Sequence, residues 1–185
     1  MPKSSLDQQA SDEDLMERFK EGDEKAFVEL YRRYNRRVYA YSIKMVGSKE
    51  RAEDLFQEIF IRVARKREHF KQGNFAAWLF AIARNLCLNA LRDKVEHVSL
   101  EDVQETLQSP SDEMEYEISS DILRGAIEQL PADLREVLVL RVYDGFSYNE
   151  IADITETKLA TVKVRIFRAK QKLQEILSPY LADRV

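Results

Sequence analysis

The sequence predicts an all-α protein made of two small helical domains. Its 185 residues include only 5 glycines and 4 prolines, so few helix-breaking residues interrupt the periodic segments. Apolar residues recur at intervals of three and four, and no run alternates apolar with polar residues for long enough to predict a strand. With 44% hydrophobic and 34% charged residues, the chain can bury cores and surround them with amphipathic helices.

The N-terminal part of the chain predicts a loose tail followed by four helices. Ser11 caps the first helix, whose early acidic residues suit a helix N-terminus, and Gly22 ends it. A second amphipathic helix covers residues 24–45, and after a turn Ser48 caps a third helix over residues 51–70. After a short break, the fourth helix reads FAAWLFAIARNLCLNALRDK. These four helices are expected to share one core.

Charge is strongly segregated along a chain whose net charge is −4. Residues 95–123 contain no lysine or arginine. Within them, the acidic stretch 95–120, with Ser-Pro-Ser at 109–111, predicts a flexible linker. Basic residues concentrate in two stretches, 62–71 and 158–172, which is the segregation that an acidic nucleic-acid-binding protein requires. The expected boundaries are a flexible tail at 1–11, a first domain at 12–94, the linker at 95–120 and a second domain at 121–185.

Residues 130–177 have the layout of a helix-turn-helix unit: two helices, a polar turn and a long basic helix. Ser147 and Glu150 form a predicted capping box at the start of the second, short helix. Residues 155–157 are predicted as the turn, and Thr157 is predicted to cap the basic helix. A cationic helix that follows a tight turn on an apolar scaffold is typical of a protein that reads duplex DNA.

The basic helix has two faces at 3.6 residues per turn. Val164, Phe167 and Arg168 point away from its apolar stripe, and Lys163 lies at the edge of the same outward face. In a major groove the two apolar side chains would contact thymine methyl groups, while the cations would reach guanine edges or phosphates. The alternative is a solvated basic face with two chance apolar residues. The opposite stripe comprises Val162, Ile166, Ala169, Leu173 and Ile176.

Basic and aromatic residues are interleaved around the break between the third and fourth predicted helices. Arg67 lies beside His69 and Phe70, and Trp78 follows on the fourth helix. This mixture suits single-stranded nucleic acid, because unstacked bases pack on aromatic rings for about 1–3 kcal/mol each while cations meet the phosphates. The alternative is that most of these rings belong to the core, since Trp78 has helical spacing with apolar neighbours.

The third predicted helix places Asp54, Gln57 and Glu58 on one face and its apolar residues on the other. Such a polar face is either solvated or docks a partner. A catalytic role is a further alternative, because carboxylate pairs such as Glu53–Asp54 serve acid–base chemistry. No catalytic triad, metal cluster or phosphate-binding loop supports that reading, so the sequence predicts a protein that is not an enzyme.

The composition also limits which cofactors and which cellular compartment are expected. A single cysteine, Cys87, excludes an intramolecular disulfide and fits a reducing compartment, where it is expected to be a core residue rather than a redox sensor. One cysteine and two histidines do not make a usual zinc site, so no metal or cofactor is expected. Without a long apolar run or a hydrophobic signal core, the chain is expected to be cytoplasmic.

Three segments carry a family resemblance, in order along the chain. They are AEDLFQEIFIRVARK from Ala52, FAAWLFAIARNLCLNALR from Phe75, and LPADLREVLVLRVYDGFSYNEIA with ATVKVRIFRAKQKL. Together these segments resemble small sigma factors of the extracytoplasmic-function (ECF) group, within the sigma-70 superfamily of bacterial RNA polymerase subunits. With their flanks they cover most of residues 12–177. The resemblance implies a four-helix region 2 and a helix-turn-helix region 4.

The resemblance implies a function for each region. Region 2 would dock on the β′ clamp of core polymerase and trap flipped bases of the −10 element, and region 4 would read the −35 duplex and pack on the β flap. The implied docking residues are Asp54, Gln57 and Glu58. The implied −10 residues are Arg67, His69, Phe70, Asn74, Phe75, Trp78, Arg84, Asn85 and Asn89. The implied −35 residues are Lys158, Ala160, Thr161, Lys163, Val164, Arg165, Phe167 and Arg168.

The resemblance also implies a regulatory partner, and the sequence departs from the family's pattern at two positions. An anti-sigma factor is a common partner in the group, and the regulon is expected to respond to stress or to the envelope. Glu156 stands where the family's turn usually carries glycine, and Ala160 stands where glycine or serine is common. The family's preference among −35 sequences therefore cannot be transferred to this chain. The remaining alternative is a helix-turn-helix regulator that binds duplex DNA without docking on polymerase.

Overall fold

The all-α prediction is confirmed by a computed structural model, which describes residues 10–71, 73–97 and 120–182. Within these ranges every regular element is a helix, and most of the predicted linker lies outside them. The α-helices are α1 (Asp12–Lys20), α2 (Glu24–Val46), α3 (Lys49–Arg65), α4 (Phe75–His97), α5 (Ser120–Glu128), α6 (Ala132–Val142), α7 (Tyr148–Thr155) and α8 (Leu159–Ala182), with a short 3-10 helix at Arg67–His69.

The predicted caps are present at three helix starts. The Ser11 hydroxyl accepts a hydrogen bond from the Asp14 amide at 3.0 Å, and the Ser48 hydroxyl accepts one from the Arg51 amide at 3.4 Å. The Ser147 hydroxyl accepts from the Glu150 amide, and the Glu150 carboxylate accepts from the Ser147 amide, which completes the predicted capping box. Local sequence therefore determines where α1, α3 and α7 begin.

Several helix ends differ from the sequence-based expectation. The third predicted helix ends at Arg65 instead of continuing to Phe70, because the chain turns so that Phe70 enters the core at 3% exposure. Helix α7 includes Thr155, so the turn is shorter than predicted. Lys158, rather than Thr157, directly precedes α8, and its carbonyl accepts the first helical hydrogen bond from Val162. Helix α5 was not predicted.

One continuous apolar core extends through both halves of the described structure. Helices α1–α4 supply most of it, and buried residues of α6, α7 and α8 join the same cluster. The ring of Phe80 in α4 lies 5.0 Å from the ring of Phe146, which precedes α7, in an edge-to-face arrangement. The C-terminal helices thus pack directly on α2 and α4.

Cys87 is a core residue, as predicted. Its side chain is fully buried in α4, and burial raises the pKa of the thiol to about 12 although the Ser42 hydroxyl opposes the shift. A thiol with so high a pKa remains protonated and a poor nucleophile at neutral pH.

Candidate nucleic-acid interface

The outward face of α8 is exposed, as the helical geometry predicts. Val164 is 47% exposed and Phe167 is 61% exposed, although both are large apolar side chains. Lys163 and Arg168 are exposed beside them. The predicted apolar stripe faces the other way: Val162, Ile166 and Ala169 are buried, and Leu173 and Ile176 pack on the core.

The remaining predicted −35 residues divide between this face and the interior. Lys158 and Ala160 are exposed at the start of α8, and Thr161 is partly buried. Arg165 points inward instead, with its guanidinium 3.4 Å from the Glu136 carboxylate and 3.5 Å from Asp133. The structure therefore gathers most of the predicted residues on one exposed surface and places Arg165 beneath it.

The turn before α8 is built around Glu156, which has φ 52° and ψ 40°. This left-handed conformation is the one that glycine adopts without a steric cost. The Glu156 amide donates to the carbonyl oxygens of Ala152 and Asp153, so the geometry of the C-cap is retained. Glu156 thus preserves the turn at some conformational cost.

The aromatic residues predicted to contact the −10 element lie mainly in the core. Phe75 is 1% exposed, with its ring 5.5 Å from that of Tyr34 and 5.8 Å from that of Phe70. Trp78 is partly buried, and its ring lies 5.3 Å from that of Phe70. In the described conformation the faces of Phe70 and Phe75 are not open to a stacked base, and the core alternative for these rings is the one observed.

The polar members of the predicted −10 set are more accessible. His69, Asn85 and Asn89 are exposed, and Arg67 lies over the ring of Phe19 at 5.3 Å. Asn74 is exposed at the start of α4, where its Oδ1 accepts from the Ala77 amide at 2.9 Å. Asn74 directly precedes Phe75 of the aromatic cluster, and Asn85 and Asn89 lie further along α4, so the polar side chains form an accessible rim along α4 and the loop before it.

Two of the predicted −10 residues are bound by the C-terminal helices. The Nδ2 of Asn74 donates to Glu150 Oε1 at 2.7 Å, and the Nε of Arg84 donates to Glu136 Oε2 at 2.7 Å. The hydrogen bonds from Ser147, with a smaller one from Asn74, lower the pKa of Glu150. Glu136 is 1% exposed in α6. Sequence reasoning missed these contacts, because their partners lie 76 and 52 residues apart.

The predicted docking face on α3 lies on the surface. Asp54 and Gln57 are exposed, and Glu58 is partly exposed and paired with Arg62 at 2.7 Å. Gln57 also borders a shallow apolar groove with Ile61, which is 44% exposed. The groove was not predicted from the sequence, and its other lining residues are Phe27, Tyr31, Phe56, Phe60 and Ala64.

The described residues contain no group of three or more histidine, cysteine, aspartate or glutamate side chains able to hold a metal ion. None of the described helices combines the length and the apolar character that crossing a bilayer requires. The exposed groups of the candidate interface are amides, cations, carboxylates and a few apolar side chains.

Family models match both halves of the chain. Residues 30–96 match the model for sigma-70 region 2, and residues 120–173 match the model for sigma-70 region 4. The first match contains α3 and most of α4, which carry the docking face and the polar rim. The second contains α6, α7 and the exposed face of α8.

Characterised relatives match over nearly the whole chain. The RNA polymerase sigma-H factor of Pseudomonas aeruginosa is 32% identical over 95% of this chain and 98% of its own length. The ECF RNA polymerase sigma-E factor of Escherichia coli is 33% identical over 95% of this chain and 99% of its own length.

Solved structures are similar as well. The sigma factor RpoE of Bartonella quintana, in complex with the anti-sigma factor NepR, matches 83% of this chain with a TM-score of 0.70 and 29% identity. CnrH, in complex with the cytosolic domain of CnrY, matches 91% of this chain with a TM-score of 0.69 and 22% identity, which supports the fold alone. By its matches to both regions and its identity to full-length relatives, the chain belongs to the ECF RNA polymerase sigma factors, which bind core polymerase and promoter DNA to initiate transcription.

Proposed function

We propose that this sigma factor uses three separate surfaces: α8 for the −35 duplex, the rim around α4 for the −10 strand, and α3 for core polymerase. The observation that carries the proposal is the exposure of Val164 and Phe167 between the cations Lys163 and Arg168 on one face of α8. An apolar centre flanked by cations has no structural role in a free helix, but it matches the methyl groups, base edges and phosphates of a major groove.

The −35 surface is proposed to comprise the exposed residues of α8. Exposed Lys158 directly precedes α8, and exposed Ala160 and partly buried Thr161 lie in its first turn, which is the end that a recognition helix presents to base edges. Arg165 acts indirectly in this proposal, because its pairing with Glu136 and Asp133 fixes the orientation of α8 against α6. It is therefore assigned a positioning role.

The −10 surface is proposed to be the polar rim of α4 and the preceding loop. His69, Asn74, Asn85 and Asn89 supply donors and acceptors for the edges of unpaired bases, and Arg67 and Arg84 supply charge for the phosphates. Phe70 and Phe75 support this rim from the core. Trp78 is proposed both to support the rim and to contact the strand, because part of its side chain reaches the surface.

The docking surface is proposed to comprise Asp54, Gln57 and Glu58 with the adjoining apolar groove. Carboxylates beside an apolar groove fit a partner helix that has its own apolar stripe and basic flank. In the sigma factors this partner is core polymerase. The groove contributes buried apolar area, and the carboxylates contribute register and specificity.

Further assignments follow from the family. The proposed domains are region 2 at 12–94 and region 4 at 121–185, joined by the acidic segment 95–120 after a short tail. The chain is proposed to work in the cytoplasm without catalytic chemistry of its own, on genes that respond to stress or to the envelope. An anti-sigma partner is supported by the similarity to RpoE, which was solved with the anti-sigma factor NepR.

Run-off transcription with purified core polymerase and a library of genomic fragments tests this function. We expect discrete transcripts that depend on the chain, and their aligned start sites would reveal the −10 and −35 elements. Arg168→Ala should lose most of these transcripts, whereas Lys170→Ala, about 160° around α8 at 100° per residue, should retain them. A transcript pattern no different from that of core polymerase alone would contradict the proposal.

A further inference from the structure

Two cation–π pairs join α1 to the 3-10 helix and to the residue that follows it. The ammonium of Lys20 in α1 lies 5.3 Å from the ring centre of Phe70. The guanidinium of Arg67, in the 3-10 helix, lies 5.3 Å from the ring centre of Phe19 in α1. Each side supplies one cation and one ring, so the contacts are reciprocal. Because a cation is attracted to the face of a ring, the two pairs restrict how the 3-10 helix lies against α1.

A third contact from α1 is made at the start of α4. The carboxylate of Glu13 accepts a hydrogen bond at 3.1 Å from the amide of Phe75, the first residue of α4. The first amides of a helix have no partner within the helix, and the helix dipole favours a carboxylate beside them. Helix α1 therefore fixes the 3-10 helix and Phe70 at one place and the start of α4 at another.

The residues held in this way carry part of the proposed −10 surface. His69 belongs to the 3-10 helix, Asn74 directly precedes α4, and both side chains are exposed. Groups that select one binding partner over another must be held within about 0.5 Å of the productive geometry. The contacts made by α1 therefore bear on which base the rim accepts.

Helix α1 is itself anchored on α2, so it can serve as a fixed support. The ring of Phe19 is stacked on that of Phe27 in α2, with the ring centres 4.6 Å apart. At the start of α1, the Asp12 carboxylate lies 2.7 Å from the guanidinium of Arg33 and accepts a hydrogen bond from the Tyr34 hydroxyl. These contacts hold both ends of α1 against the core of the first domain.

Lys20 is placed unlike an ordinary surface lysine. Its side chain is 17% exposed, and its ammonium is paired at 2.7 Å with Glu17, one turn earlier in α1. Holding a lysine side chain in one geometry costs conformational entropy, and an apolar side chain would cover Phe70 equally well. The cation therefore contributes a directional contact with the Phe70 ring in addition to covering it.

We propose that α1 sets the base preference at the −10 element: Lys20 and Glu13 hold Phe70 and Phe75 in the position from which the polar rim reads an unpaired base. Both are positioning residues, because they act through these two residues and make no contact with the strand themselves. The inference rests on the proposed −10 surface and adds α1 to what determines its specificity.

Removal of the Lys20 cation provides the test. Lys20→Met keeps an unbranched apolar side chain over Phe70 and loses the charge, whereas Lys20→Arg restores a cation that can lie over the ring. The matched control is Lys25→Met, the same change at an exposed lysine near the start of α2. Each full-length variant directs core polymerase on a promoter recovered from the genomic fragments, with its −10 or its −35 element randomised. A transcribed barcode identifies each promoter copy when the transcripts are counted by sequencing.

We expect Lys20→Met to lower the preference for the favoured base at the −10 element by about fivefold, the size of one such contact, with the −35 preference unchanged. Lys20→Arg and Lys25→Met should keep both preferences. An unchanged −10 preference in Lys20→Met would overturn the inference. An equal loss of transcription from every −10 sequence would also overturn it and would indicate a phosphate contact. A parallel loss of both preferences would overturn it as a general loss of structure.

A second variant decides the matter if Lys20→Met does not fold. Glu13→Ala removes the contact at the start of α4 from an exposed position, and the control Glu21→Ala makes the same change at the exposed residue that follows α1. Only Glu13→Ala should flatten the −10 preference, and equal preferences in the two variants would overturn the inference.

The wild type judges the proposed function separately in the same assay. A wild-type chain without any −10 preference would contradict the −10 surface itself, and the inference with it. A selective wild type with equally selective Lys20→Met and Glu13→Ala variants would remove only the role of α1.

Discussion

The carboxylate of Asp144 lies 3.5 Å from the Nε of Arg37, and its side chain is only 5% exposed. Burial raises the pKa of Asp144 to about 6, although Arg37 opposes the shift. The free-energy cost of removing this carboxylate from water therefore exceeds the stabilisation that Arg37 provides. A buried ion pair at the junction of two helical units is here a source of instability at neutral pH.

Replacing Asp144 with asparagine should remove a pH dependence of folding. Because the folded pKa is raised, the stability contributed by Asp144 is complete below its ordinary value of 3.8 and is lost as the pH rises through about 6. From pH 7 to pH 5 this group should add about 1 kcal/mol to the free energy of unfolding. Urea denaturation at several pH values measures the slope.

The change in the free energy of unfolding between pH 5 and 7 reports Asp144 separately from the other strongly shifted carboxylate, Glu29. The pKa of Glu29 is lowered to about 2, first by hydrogen bonds from Arg32, so its contribution is lost only at more acidic pH. Asp144→Asn should flatten the slope, and the exposed control Asp93→Asn should not. If Asp144→Asn keeps the wild-type slope, the raised pKa is wrong.

Replacing Glu156 with glycine should stabilise the helix-turn-helix unit. Glu156 has a positive φ, which costs a residue with a Cβ roughly 1–2 kcal/mol relative to glycine. We expect a gain of about 1 kcal/mol after the extra unfolded-state entropy of glycine is included. Thermal unfolding measures it, and Gln171→Gly in the exposed interior of α8 should lose a similar amount. A loss at both positions would mean that Glu156 is not strained.

Reversing the charge of Asp54 should weaken the complex with core polymerase. Asp54 is exposed on the proposed docking face, and a lysine there would repel a basic partner surface. We expect at least about a tenfold loss of affinity with unchanged thermal stability. Glu53→Lys, about 100° around α3, is the control and should have little effect. Equal affinity of Asp54→Lys and the wild type would remove α3 from the interface.

Replacing Arg168 with alanine should weaken binding to the −35 element in a sequence-dependent way. A bidentate contact to a base would be worth about 1–3 kcal/mol of discrimination. Titration of the native −35 duplex and of a scrambled duplex separates the two possible roles. A loss confined to the native duplex indicates base reading, and an equal loss on both indicates a phosphate contact. No loss on either would exclude Arg168 from the surface.

Local features of the fold were predictable from the sequence. Ser11, Ser48 and Ser147 form caps through residues three positions away, so their effect is encoded in short segments. The exposure of Val164 and Phe167 followed from helical geometry, because the position of the apolar stripe determines which face points outward. Their contact with DNA stays a prediction.

Long-range packing was not predictable. Phe70 and Phe75 occur in a basic stretch that also suits base stacking, and only their packing with Tyr34 and Trp78 places them in the core. The contact between Arg37 and Asp144 joins residues 107 positions apart, and neither has a local pattern that signals it. Such pairs depend on how helices pack, which a single sequence does not specify.

The central claim is that this chain and core polymerase together open promoter DNA. It is tested most directly by the permanganate reactivity of thymines in a promoter recovered from the genomic library, with the chain alone, core polymerase alone, and both. The account predicts reactive thymines at the −10 element only when both are present. Duplex binding by the chain without any thymine becoming reactive in the presence of core polymerase would contradict it and would favour a helix-turn-helix regulator.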